Sequence, residues 1–337
     1  MYILGIESSC DECAASVVQD GSTIRSNVIA TQIELHKPWQ GVVPEIASRL
    51  HTRWIWSVVE QALSEAGINK DELDGIAVTN RPGLVGSLLV GLSFAKGLAW
   101  SLGVPFIGVD HIRAHLYAPH LENDIPYPYL GLLVSGGHTV ISIVRSFDDI
   151  EVLGTTIDDA CGEAFDKVAK YYDLGYPGGI AIDKLSSQGD PKAFRFPSPN
   201  LHKGDHVFDV SYSGLKTAVI NQLDQFLNPG FDKTKENIAA SFQKRAIDIL
   251  IKKVKRAVEF TGIRTVVAGG GVTANSYMRT SLTNLHEVTT YYPSMELCTD
   301  NAAMIAGIGY QYLKVGETSD FSENAKARVP SFKRGYP

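Results

Sequence analysis

The sequence predicts an α/β protein made of two related domains, each with mainly parallel strands at its centre. Three observations carry this. The chain has 337 residues, a length that favours two domains. It is 44% hydrophobic and 20% charged, which fills cores and does not describe a disordered chain. Each half opens with three strand-like runs and then alternates helix with strand. The Pro-rich DIPYPY near 124–129 is the expected boundary, giving domains 1–125 and 126–337.

In the first half, YILGIES, CAASVVQ and STIRSNVIAT read as strands, with the turn-like DGS between the last two. The next segment places Ile46, Leu50, Trp54, Val58 and Ala62 every four residues, a helical stripe that Gly67 stops. DGIAVT is a short buried strand. PGLVGSLLVGLSFAKGLAWSLG is a mostly apolar helix, with Pro82 at its start and Gly103 after its end. PFIGVDH is another strand, and a histidine-containing segment follows it. In the second half, YPYLGLLVSGGH, VISIVRS and DIEVLGTT read as three strands, then DDACGEAFDKVAKYYDLG as a helix. A Pro/Gly-rich insert over about 175–210 precedes helical stretches at 213–227 and 234–261. RTVVAGGG, TANSYMRTSLTNL, EVTTYYP and NAAMIAGIGYQYLK complete the alternation. Two such domains facing each other leave a cleft, the usual place for a ligand.

Formal net charge is −6, which argues against a protein that coats nucleic acid by bulk charge but leaves room for local basic patches. No apolar run is expected to span a bilayer, and MYILGIESSCDE lacks the basic start of a signal peptide. Four cysteines in a chain of this size fit a reducing cytoplasm. Cys10 and Cys13 form one CxxC with no second one, so a zinc ribbon is not expected and two small residues at a strand turn are.

Two glycine turns end strands. Ser135-Gly136-Gly137 closes LLVSGGHT, and Gly269, Gly270 and Gly271 lead into a helix. Glycines let backbone amides approach an anion, and a helix N-terminus favours one. Neither turn matches GxxxxGK[ST] or GxGxxG, so the P-loop and Rossmann readings fail. A plain tight turn explains either alone; together with ESSCD after the first strand they fit a grip on nucleotide phosphates.

Nine histidines should give roughly 0.2 HxxxH pairs by chance. There are two. His202 and His206 sit in HKGDH, a surface-loop composition. His111 and His115 directly follow an apolar strand, where α/β active sites cluster, and helical spacing stacks them on one face. Such a pair is core, surface or metal-binding, and its position brings metal into consideration. Asp300 in CTDNAAM is the best third ligand, and a His-His-carboxylate set suits iron(II), zinc or another divalent ion. A zinc protease would need HExxH. The intervening residues here are Ile112, Arg113 and Ala114, so the general base is missing.

GIESSCDE, GVVPEIASR, RPGLVGSLLVG, DHIRAHLYAP, LLVSGGHT, GEAFDKVAK, YPGG, SGLKTA, GGGVTAN and CTDNAAMIA, in this order, resemble the bacterial tRNA threonylcarbamoyltransferase (TsaD) family nearly end to end. The resemblance implies the actin/Hsp70/sugar-kinase fold around a nucleotide cleft. It implies transfer of a threonylcarbamoyl group from threonylcarbamoyl-AMP to the exocyclic amine of adenosine-37 in tRNAs reading ANN codons. By resemblance His111, His115 and Asp300 hold one divalent metal ion, usually iron, with zinc or magnesium as alternatives. Val134, Ser135, Gly136, Gly137 and His138 hold the ligand, and Asp166, Gly179, Asp183 and Asn275 complete its site. Implied partners are tRNA, a smaller TsaB-like paralogue and a TsaE-like ATPase, with no membrane. Ser8 and Cys13 stand where the family commonly has threonines, and Arg81 where it has a small residue. Two other activities share features: a metal-dependent glycoprotein endopeptidase, which the missing HExxH disfavours, and a sugar or acetate kinase, which has no need of the His-His-Asp set.

Three further expectations concern single residues. Asp11 is the candidate general base or amine-positioning group, or else a cap of the following turn. Trp54 and Trp56 lie two apart on one helix and cannot share one core face, so an exposed Trp there anchors the paralogue. For tRNA, the tail with Lys326, Arg328, Lys333 and Arg334 is favoured. The helix cluster of Lys244, Arg245, Lys252, Lys253, Lys255 and Arg256 reads as a solvated face.

Overall fold

The computed structural model describes residues 1–199, 201 and 204–329. The chain opens with β1 (Tyr2–Glu7), β2 (Glu12–Gln19), β3 (Thr23–Thr31), α1 (Ile33–His36) and α2 (Pro44–Ala66). Next come β4 (Gly75–Arg81), α3 (Val85–Leu102), β5 (Phe106–Asp110) and α4 (His111–Tyr117). A second set follows: β6 (Tyr129–Val134), β7 (Thr139–Val144), β8 (Ile150–Thr155), α5 (Cys161–Tyr171), α6 (Gly178–Ser186), α7 (Ser213–Asn221) and α8 (Lys235–Thr261). It closes with β9 (Thr265–Gly269), α9 (Ser276–Thr283) and β10 (Thr289–Tyr291). Last are α10 (Met295–Cys298) and α11 (Ala302–Lys314).

The two sheets share one topology. The first runs β3-β2-β1-β4-β5 and the second β8-β7-β6-β9-β10. In each, the opening strand is central. It pairs antiparallel with the next strand on one side and parallel with a later strand on the other. A strand covered on both faces needs a near-continuous apolar run. β6 is buried at all six positions, and β1 from Ile3 onward.

Among the described residues, one unit comprises Met1–Ile125 with the segment that starts at Pro293, the other Pro126–Tyr292. The expected domain 126–337 is therefore corrected, because its last segment returns to the first unit. The reason is packing. Alternate residues of a strand face opposite ways. Leu4, Ile6, Ile76 and Val78 face the core they share with α2 and α3, whereas Gly5 and Ala77 face α11. A Cβ on Gly5 would lie 2.2 Å from the Ala302 carbonyl, and one on Gly309 would lie 2.3 Å from Ala77 Cβ. Helix and sheet thus approach too closely at these glycines to admit a side chain.

The stripe on α2 keeps Val58 and Ala62 as expected, but its first half is displaced by one residue. Ala47, His51, Ile55, Val58, Val59, Ala62 and Ala66 are buried, and Ile46, Leu50 and Trp54 lie half-buried on the flank. Small alanines let the helix approach the sheet. His51 is tolerated in the buried row because its Nε2 meets the Cys10 carbonyl at 2.9 Å. α2 starts with Pro44 at its first turn and stops at Gly67, whose φ is +69°. α3 corrects another expectation. Its 18 residues are long and apolar enough to cross a membrane by length and composition. One face packs on the sheet and α2, through Ser87, Leu88, Gly91, Leu92, Ala95 and Ala99.

Glu12 opens β2 opposite Thr31. Its Oε1 accepts a hydrogen bond from Thr31 Oγ1 at 2.9 Å, while Oε2 is buried without a partner. Burial pushes the carboxyl up against the Thr31 hydrogen bond, the charges of Asp11 and Asp300 add, and it reaches about 8 from 4.5. Between these two values the unfolded chain loses this proton and the folded chain keeps it. Glu12's contribution to stability therefore falls as pH rises through that window. Glu12→Gln keeps the acceptor for Thr31 and removes the titration. Urea unfolding at both ends of the window should show the variant gaining on the wild type as pH rises; parallel profiles would contradict this assignment.

Candidate metal centre and ligand-binding turns

In the first unit, the C-terminal ends of three parallel strands line up. Ile6 pairs with Val78 and Thr79 with Val109, which brings Glu7, Thr79 and Asp110 to one edge. Asp110 caps α4, accepting from Ile112 N at 2.9 Å and Arg113 N at 3.3 Å. The cap fixes where the helix starts, and His111 is its first residue. Arg81 Nε lies 3.4 Å from Asp110 Oδ2, so this departure from the family pattern is an ion pair at the cap.

His111 Nδ1 donates to Glu7 Oε2 at 2.9 Å, with Ser9 Oγ 3.3 Å from the same nitrogen. Glu7 is fully buried and also accepts from Ser9 N at 2.6 Å and Thr79 Oγ1 at 2.5 Å. With Nδ1 occupied, His111 turns Nε2 the other way. Nε2 of His111 and Nε2 of His115 lie 3.5 Å and 3.1 Å from the same oxygen, Oδ1 of Asp300. One ligand atom from each of the three residues falls within 4.8 Å of the others. A metal about 2.1 Å from two ligands sets them roughly 3.0–3.4 Å apart at angles of about 90° to 109°. The donor set and its spacing fit a divalent ion, and Glu7 is the outer carboxylate that such histidines commonly carry.

Asp300 lies between two helices, α10 and α11. Asn301 fixes this link: its Oδ1 caps α11 at Met304 N, 3.0 Å away, and its Nδ2 donates to Leu297 and Thr299 carbonyls. Burial disfavours a charged His111, but Glu7 and Asp300 outweigh it and raise this imidazole to about 9. Burial and the charge on His111 hold His115 down.

Asp11 is half-buried in the β1–β2 turn. Burial raises its carboxyl above the usual range, against a Cys10 hydrogen bond and with the charge of Asp300 adding. Burial pushes the Cys10 thiol well up and the Cys13 thiol up to about 12, which disfavours the thiolate at both.

The expected ligand residues of the second unit join in one chain of contacts. Val134 ends β6, and Ser135–His138 form the hairpin into β7. Ser135 N donates to the His138 carbonyl at 2.8 Å, and His138 N to Ser135 Oγ at 3.1 Å. Gly136 and Gly137 are exposed at the tip. The start of α5 buttresses the turn, with Gly162 N donating to Ser135 O at 3.2 Å. The other glycine turn lies behind it: Gly270 has φ +91°, and a Cβ there would sit 2.5 Å from the Val134 carbonyl.

Asp166 is one turn on from Gly162 and accepts from Gly178 N at 2.8 Å, which sets the start of α6. Gly179 is in the first turn of that helix, and Asp183 follows one turn later. Asp183 Oδ1 accepts from Ser276 Oγ at 2.7 Å and Asn275 Nδ2 at 3.2 Å, and Oδ2 from Ser276 N at 3.1 Å. Asn275 is nearly buried. Its Nδ2 also donates to Gln243 Oε1 at 2.7 Å, and its Oδ1 caps α9 at Met278 N. Asp183 and Asn275 therefore tie α6 to the start of α9.

Sequence reasoning missed Glu7, Ser9 and Thr79. An acid ending an apolar strand in GIES was the available signal. It also misplaced part of the basic helix face. Lys253 is 4% exposed, donates to the Leu201 and Val207 carbonyls, and is lowered by burial to about 8. In the tail, Lys326 N donates to Asn80 O and Gly83 N to Ala327 O, so this part is strapped to the first unit rather than free. Lys333 and Arg334 lie outside the described residues, as does His202. His206 meets Asp209 at 3.0 Å.

Residues 23–307 match the profile of the family described as "TsaD: tRNA N6-adenosine threonylcarbamoyltransferase". A protein of Treponema denticola named tRNA N6-adenosine threonylcarbamoyltransferase is 65% identical over 334 residues, covering 99% of each chain. One of Borrelia duttonii with the same name is 54% identical over 334 residues, covering 99% of this chain and 98% of its own. HypF from T. kodakarensis superposes with a TM-score of 0.64 at 13% identity, covering 93% of this chain and 48% of its own, a likeness of fold alone. Two sheets of one topology, each with its opening strand central, are the actin/Hsp70/sugar-kinase architecture. With matches of this extent, the chain belongs to the TsaD family and is a transferase that places a threonylcarbamoyl group on a tRNA adenosine.

Proposed function

We propose that this chain takes the threonylcarbamoyl group from threonylcarbamoyl-AMP and delivers it to the exocyclic amine of adenosine-37 in tRNAs reading ANN codons. The observation that carries the reading is the convergence of two imidazole Nε2 atoms on Asp300 Oδ1, in a member of this family. The amine nitrogen attacks the threonylcarbamoyl carbonyl carbon. The bond from that carbon to the phosphate oxygen breaks, AMP leaves with the electron pair, and the amine gives up one proton. Asp11 accepts that proton; burial holds its carboxyl above the usual range and makes it the better base. A divalent ion held by His111, His115 and Asp300, iron by family usage with zinc or magnesium as alternatives, would supply positive charge against the donor's phosphate and carbonyl oxygens.

The second unit's residues hold the donor. Backbone amides of Gly136 and Gly137 meet its phosphate, flanked by Val134, Ser135 and His138. Asp166, Gly179, Asp183 and Asn275 complete the site. Asp183 Oδ2 has one donor, which leaves a lone pair for a ligand hydroxyl. The endopeptidase reading finds no support in α4, which carries no glutamate, and nothing favours the kinase reading.

The wild type incubated with threonylcarbamoyl-AMP and unmodified tRNA should yield threonylcarbamoyladenosine on nucleoside analysis; none, with intact donor and tRNA, would contradict the reading. His111→Ala and Asp300→Ala should each fold yet lose the bound ion and at least about tenfold in transfer rate. Full metal content in both variants by elemental analysis would remove the metal assignment.

The chain acts in the cytoplasm, where its four free thiols stay reduced. Its partners there are a TsaB-like paralogue and a TsaE-like ATPase. Trp56 is 57% exposed on α2 and meets Phe94 of α3 edge-on at 6.1 Å, with Val85 and Leu89 also exposed on α3. An apolar face of two helices suits a helical face of the paralogue. Trp56→Glu should weaken that complex by about tenfold or more, read by calorimetry; an unchanged affinity would move the interface elsewhere.

A further inference from the structure

A cavity of about 210 Å³ in the second unit has no role in the site described above. The loop from Pro191 to Arg195, Asn228 and the N-terminal half of α8 line it. Four cations, Lys192, Arg195, Lys244 and Arg245, face it against one carboxylate, Asp248. Lys244 is already matched, with its Nζ 2.6 Å from Asp248 Oδ2 and 3.2 Å from Tyr277 Oη. Asp248 Oδ1 in turn accepts from Tyr277 Oη at 2.9 Å. Among the described residues, the head groups of Lys192, Arg195 and Arg245 have no ion-pair or hydrogen-bond partner. Three unmatched cations around one concavity set up a local positive field in a chain whose formal charge is −6.

The walls narrow the class of ligand. Their backbone is already committed. Phe194 N donates to Ser241 Oγ at 3.0 Å, Arg195 N to Phe226 O at 2.8 Å, and Asn228 N to Ala193 O at 2.8 Å. Ser241 Oγ donates on to Asp190 O at 3.2 Å. This ordered frame presents cationic heads and leaves few groups to read a base. The Phe194 ring is 4% exposed and stacks on Phe196, so the cavity has no platform for base stacking. Ligand pockets for whole small molecules run from about 300 to 1,000 Å³, and this one is smaller. An anionic group projecting from a larger chain fits it better than a free nucleotide.

We propose that this cavity is a phosphate-binding site for the tRNA backbone, in which Lys192, Arg195 and Arg245 contact phosphodiester oxygens and position the RNA without reading its sequence. The inference rests on the tRNA-modifying reaction given above. It replaces the tail, and most of the α8 cluster, as the anchor.

The test uses the full chain and an unmodified tRNA transcript. Affinity is measured across a salt series for wild type, Lys192→Ala/Arg195→Ala, and the triple variant with Arg245→Ala. Lys70→Ala, an exposed lysine of the first unit, is the charge control. Each lost contact should flatten the log–log salt slope by roughly 0.7–0.9, and the control should not. In steady-state transfer, KM for tRNA should rise several-fold in the variants while kcat holds. Because Lys192 and Arg195 are exposed, the double variant reads the site even where the triple does not fold. Wild-type transfer with unchanged slope and KM in the double variant overturns the inference. So do variants that lose only competition by inorganic phosphate, which would make this a small-anion site. A wild type without transfer would instead overturn the functional reading on which the inference depends.

Discussion

The hydrogen bond from His111 Nδ1 to Glu7 Oε2 is the constraint on which the first unit's chemistry depends. A fully buried carboxylate is costly unless it is paired and hydrogen-bonded. Here Glu7 ends β1, and the turn after it, β4 and α4 each supply a partner. The burial that raises a lone acid's pKa is outweighed by His111, and Glu7 is held below its usual range. The same bond decides which imidazole nitrogen faces Asp300. Register, charge and ligand orientation are thus one arrangement. It can form only where three parallel strands end together, the usual location of a ligand in α/β proteins.

The third member of the centre arrives from far along the chain. Asp300 is held by the cap of α11, and α11 is held by close contact with β1 and β4. Gly5 and Gly309 are where that contact leaves no room for a side chain. Packing of a helix against a bare strand therefore sets the position of a candidate ligand, Asp300, 185 positions beyond His115. The second unit uses the same sheet for another purpose. Its opening strand ends in a glycine hairpin rather than an acid, and a helix start and a second glycine turn back that hairpin.

Features set by neighbouring residues were legible in the sequence. The His111/His115 spacing, the SGGH and GGG turns, and the three-strand opening of each half depend on short periods and turn chemistry. Features set by pairing across the chain were not. Glu7 gains its meaning from Thr79 and His111, which are 72 and 104 positions away. Arg81 gains its partner only when the fold sets Asp110 beside it. The first half of the α2 stripe moves by one, to Ala47, His51 and Ile55, because the fold sets which side of the helix meets the sheet. Lys253 looks like part of a basic face, and only the fold brings two carbonyls to its amine.

Metal affinity of Glu7 variants is the most direct measurement of whether this centre is a metal site oriented by its buried acid. Glu7→Gln preserves shape and keeps an acceptor for His111, whereas Glu7→Ala removes it. Titration of the full chain with Zn²⁺ or Fe²⁺, alongside circular dichroism, should show the alanine variant folded but binding about 10–100-fold more weakly, with the glutamine variant in between. Wild-type affinity in a folded Glu7→Ala protein would contradict the arrangement.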